Sequence, residues 1–105
     1  MIKATFETDN GPVTAQMLRF TFYADPGHGW LEVPRELLHS LGIADKITRY
    51  SYQRMGKVFL EEDCDFATFA QAMKAQGLSF DVVETHTNGD SFVRSLPSYK
   101  VEVTA

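Results

Sequence analysis

Within the twelve residues Tyr23–Pro34, YADPGHGWLEVP, stand an aspartate, a histidine and the chain's only tryptophan: Asp25, His28 and Trp30. Imidazole titrates near neutrality and a neighbouring carboxylate orients it, so the pair suits acid–base catalysis or metal ligation. A zinc site would need three or four ligands at short, regular spacing. His28, His39 and His86 are widely spaced, and no H-x3-H or C-x2-C framework accompanies them. Asp-Pro-Gly is equally the composition of a tight turn, in which proline presets φ, glycine tolerates positive φ and the carboxylate accepts from amides two residues on. A turn is therefore expected at Asp25–Gly29, with Trp30 lying on a sheet as core or as an interface anchor.

A second cluster is LEEDCD, where Glu61, Glu62, Asp63 and Asp65 fall within five positions. Such a group can hold a divalent cation or supply a carboxylate pair for glycoside-type chemistry. It also immediately precedes a helical pattern, where acidic side chains complement the dipole and cap the first amides. Capping by Asp63 or Asp65 is the expectation, since the EF-hand spacing is absent. Cys64 sits among these carboxylates, which disfavour its thiolate; a semi-buried structural cysteine is expected. No nucleophile elbow, phosphate-binding loop or dinucleotide fingerprint occurs, and GHG lacks a third glycine. No catalytic residue, metal ligand or cofactor is assigned, and the chain reads as a non-enzyme. The residues expected to bind a partner are Trp30, Tyr50, Tyr52, Arg54, Glu61, Glu62 and Asp63, since aromatic and guanidinium groups are the common anchors of interfaces.

The elements that must position these groups follow from periodicity. Residues 13–24 alternate as a strand, with Leu18, Phe20 and Phe22 against Arg19, Thr21 and Tyr23. Trp30–Val33 returns as its hairpin partner. Pro34 opens a helix carrying Leu37, Leu38 and Leu41, which Gly42 closes. Residues 46–53 and 58–62 form a second hairpin around RMGK. In DCDFATFAQAMKAQG, Phe66, Phe69, Ala70 and Met73 mark one helix face and Gly77 ends it. Residues 78–86 form a last strand, TNGD a turn, and the tail docks through Phe92, Val93, Leu96 and Tyr99. The expected fold is α+β: a largely antiparallel sheet of about five strands with two helices, in the order β-β-α-β-β-α-β plus a packed C-terminal tail. One globular domain spanning 1–105 is expected, with residues 1–10 flexible or an extra edge strand.

Composition sets bounds on function. The chain has 105 residues, 44% hydrophobic and 23% charged, as ordinary soluble domains are. No apolar run is long enough to span a bilayer, the N-terminus lacks a signal-peptide centre, and one cysteine cannot form an internal disulfide, so a cytoplasmic protein is expected. The net charge of −4 speaks against nucleic acid as a partner, and no basic stripe occurs.

Residues 28–63, HGWLEVPRELLHSLGIADKITRYSYQRMGKVFLEED, resemble the swapped-hairpin module of AbrB-type transition regulators and antitoxins, which implies DNA binding. The pattern DPGHGWLEVP, LGI, YSYQ and VFLEEDCD resembles small uncharacterised proteins of bacteriophages and other bacterial mobile elements. That resemblance implies an accessory protein of a bacterial host's mobile element, binding a host protein or complex and compatible with a homodimer. An inhibitor of a defence system such as an anti-CRISPR is the foremost expectation, an AbrB-like regulator the next. A small metal-dependent enzyme using Asp25, His28 and His86 is third.

Overall fold

The computed structural model describes residues 5–8, 11–14 and 18–101, the first two segments by backbone alone. Its elements are β1 (Thr5–Thr8), β2 (Gly11–Thr14), β3 (Arg19–Ala24), β4 (Gly29–Pro34), α1 (Arg35–Ser40), β5 (Tyr52–Arg54), β6 (Lys57–Glu61), α2 (Asp65–Ala75) and β7 (Asp81–His86). Single-turn 3-10 segments lie at Ala44–Lys46 and Phe92–Ser95. Five strands form one sheet in the order β5-β6-β4-β3-β7, while β1 and β2 pair only with each other. The expected α+β fold and its sequence of strands and helices are borne out. Three interfaces of the large sheet are antiparallel, and β7 joins β3 in parallel.

Strand alternation explains how this sheet acquires two cores. On one face Phe20, Leu31, Val33, Val58 and Leu60 meet Leu37 and Leu38 of α1 and Phe69 and Met73 of α2. On the other, Trp30 and Phe59 are closed over by Val93, with Tyr23, Tyr52 and Leu96 packed around them. The docked tail is thus the second cover of the sheet. Phe59 and Phe69, both fully buried, each contribute about 1.5–3 kcal/mol through removal of apolar surface from water. The tail also seals the β5 edge: the Gln53 amide donates to the Pro97 carbonyl, and the Tyr99 amide to the Ser51 carbonyl. Arg35, itself buried, donates to the Lys100 carbonyl and to Gln53 Oε1.

Several boundaries differ from expectation. The strand expected over 13–24 is two, β2 and β3, with residues 15–17 outside the described segments. Thr5–Thr8 pairs with β2 rather than edging the main sheet. Of the strand expected over 46–53, only Tyr52 and Gln53 lie in a ladder, which runs on to Arg54. The reason is polar: the Asp65 carboxylate takes the Thr48 amide and hydroxyl, which bends the chain away from pairing. Pro34 ends β4 and stands just before α1 instead of within it. The RMGK turn is a two-residue connection, with Met55 and Gly56 both at positive φ, the geometry that matches strand twist in hairpins.

Candidate functional site

The β3–β4 turn is organised by one carboxylate. Asp25 Oδ1 accepts from the amides of Gly27 and His28, the hydrogen bonding expected of a turn aspartate. It also reaches the tail: Oδ2 accepts from the Ser91 amide at 2.9 Å, and Arg94 grips both oxygens at 2.6 and 2.8 Å. The bidentate Arg94 guanidinium, with the Ser91 amide next, holds the Asp25 carboxyl far below the ordinary carboxylate range. Arg94 in turn lies 5.2 Å over the Trp30 ring. Asp25 is thus occupied by the protein itself. His86 pairs in register with Ala24 and lines a depression with Tyr23, Thr85, Asp90 and Phe92, whereas His28 lines a different cleft.

Of the two glycines of GHG, Gly29 is the steric requirement, since the group facing Gly27 is the far end of an arginine side chain. A Cβ on Gly29 would stand 2.2 Å from the Phe22 ring, and one on Gly27 would stand 2.8 Å from the Arg94 guanidinium.

His28, set by this turn, faces the end of β6 and the start of α2. Its Nδ1 is 3.7 Å from Glu61 Oε1, 3.9 Å from Glu62 Oε1 and 3.9 Å from Asp63 Oδ2. The other oxygen of Glu61 accepts from the amides of Asp63 and Cys64. The orphan amides ahead of α2 are therefore served by Glu61, and neither Asp63 nor Asp65 caps the helix as expected; α2 has no side-chain cap bond at its first flanking residue. Asp65 is instead buried, and besides Thr48 it takes the Ser51 hydroxyl, whose oxygen accepts the Glu61 amide at 2.9 Å. That chain of bonds fixes Glu61 from behind. Cys64 is exposed, not semi-buried; partial desolvation, then the carboxylates of Glu61, Asp65 and Asp63, push its thiol pKa up.

These groups line a cleft of about 360 Å³ together with Trp30, Tyr50, Tyr52 and Arg94. Five of the seven residues expected to bind a partner, Trp30, Tyr50, Tyr52, Glu61 and Asp63, meet there, with Glu62 beside them at His28. Tyr50 is 61% exposed and Met55 nearly fully so, but Trp30 is only 2% exposed. Trp30 is thus a wall of the cleft and a core residue, and cannot serve as a protruding anchor. Arg54 lies apart from the cleft, its guanidinium 5.0 Å over Phe92 and 5.8 Å over Phe59. Arg94 was absent from the sequence expectation. Its one signal is its being the only lysine or arginine between Lys74 and Lys100, in a tail expected to dock.

No family model, curated protein or solved structure matches the chain. Among the described residues, no helix is long and apolar enough to cross a membrane.

Proposed function

We propose that the chain is a non-enzymatic accessory protein of a phage or other bacterial mobile element, which binds a host protein and masks its surface as an anti-CRISPR or similar inhibitor does. The observation that carries this reading is the convergence of Tyr50, Tyr52, Glu61 and Asp63 on one open cleft. Tyrosines beside carboxylates offer a face for a cationic side chain, which aromatic rings attract through their quadrupole and carboxylates through charge. The partner therefore presents lysine or arginine here. The saturated state of Asp25 supports the non-enzymatic part, because no lone acid–base partner remains for His28 in the turn.

Affinity capture from a bacterial host lysate tests it. A stoichiometric protein partner is expected with the parent chain, and its loss with the double variant Tyr50→Ala, Glu62→Arg. Recovery of no such partner, or equal capture by the double variant, ends the proposal.

A further inference from the structure

We propose that His28, Glu61 and Asp63 bind one divalent transition-metal ion, represented by zinc, at the floor of the cleft. Their potential ligand atoms all lie within 4.8 Å of one another, and they come from three places: the β3–β4 turn, the last residue of β6 and the segment before α2. An imidazole nitrogen with two carboxylate oxygens is a donor set for zinc and its neighbours in the first transition row, whereas magnesium and calcium favour oxygen alone. Tetrahedral zinc with bonds of about 2.0–2.1 Å sets its ligand atoms about 3.4 Å apart. The distances from His28 Nδ1 to Glu61 and Asp63 are 3.7 and 3.9 Å, and the whole set lies within 4.8 Å, so the ligands must draw together to bind. His28 and Asp63 are exposed and free to turn, while Glu61 is buried and immobilised. One ligand is therefore fixed and two can close on it.

The surroundings have the order of an outer shell. Glu61 Oε2 is held by two amides, leaving Oε1 toward His28, and the His28 backbone is held by Asp25. Trp30, whose side chain also lines the cleft, carries a buried Nε1 donor with no acceptor among the described residues. The proposal does not depend on a protein partner, so its failure leaves the partner reading intact and the reverse also holds.

The test uses the full chain freed of metal. Zn²⁺ is titrated by calorimetry, and Co²⁺ by quenching of the single tryptophan, whose ring lies 6.2 Å from that of His28. One ion per chain is expected, with apparent affinity at least tenfold weaker in His28→Ala and in Asp63→Asn. Both substitutions are on exposed side chains, so the metal-free variants keep the parent's melting temperature. Cys64→Ser is expected to bind as the parent does. Absence of binding, retention in His28→Ala, an equal response to Ca²⁺, or loss in Cys64→Ser would each overturn the site.

Discussion

His28 stands between two carboxylate environments of opposite character. Behind it, Asp25 accepts from five donors: three backbone amides and two nitrogens of Arg94. In front of it, Glu61, Glu62 and Asp63 gather within 4 Å of one imidazole nitrogen, and among the described residues no lysine or arginine is ion-paired with them. The first carboxylate joins two segments of chain, its own turn and the tail, and is chemically spent. The second group holds excess negative charge at an open cleft. The same residue types thus build the architecture in one place and leave a demand for a cation in the other; the local count of positive donors decides which.

The largest effect should come from Asp25→Asn. The amide carries no charge for Arg94 and turns a donor toward groups that already donate, so the melting temperature is expected to fall by roughly 10 °C or more. The pH dependence sharpens this. Because the folded Asp25 carboxyl titrates below its unfolded value of about 3.9, its stabilisation is complete above about pH 4 and is lost as pH falls below it. Thermal melts between about pH 2 and pH 7 should show a steeper acid decline in the parent than in Asp25→Asn. Parallel declines would remove Asp25 from its assigned role.

A smaller loss is expected where the two environments meet. Gly29 lies with Phe22 on one side and Glu62 Oε2 on the other, 2.2 and 3.2 Å from an added Cβ. Gly29→Ala forces the aromatic ring or the strand to move and should cost about 1–3 kcal/mol, read as a lowered denaturation midpoint. Gly89→Ala, with nothing within 4 Å, serves as the control and should stay within about 0.5 kcal/mol of the parent.

What could be read from the sequence was what local periodicity and turn chemistry dictate. Alternation at Phe20 and Phe22 marks β3, leucine spacing marks α1, the Phe66–Met73 stripe marks α2, and Asp25 declares its turn. Gly42 and Gly77, both at φ 71°, end the helices as their positions imply. What could not be read depends on long-range pairing. Arg94 meets Asp25 across 69 residues, and no spacing rule links them. Asp65 looks like a cap until Thr48 and Ser51, brought up by the fold, claim its oxygens. Trp30 looks like an anchor until the tail covers it. The candidate site was legible as a list of residues, with Arg54 standing apart from the cleft and His28 grouped with Asp25 and His86 instead of with Glu61 and Asp63; its geometry came from the tail and the Asp65 network.

The smallest effect is also the most discriminating. Glu62→Gln makes the same acid-to-amide change as Asp25→Asn, at a carboxylate 3.9 Å from the His28 imidazole. Glu62 is 38% exposed in its side chain and stands among like charges, where an exposed ionic contact is worth about 0–1 kcal/mol at most. Removing its charge relieves repulsion from Glu61 and Asp63 while weakening one distant contact to His28. These opposing terms should leave the metal-free protein within about 0.5 kcal/mol of the parent by chemical denaturation, with any change favouring stability. A loss comparable to that of Asp25→Asn would show that the cluster is as structurally committed as Asp25. A carboxylate beside the cleft that can be neutralised without cost to the fold has its charge available for a ligand.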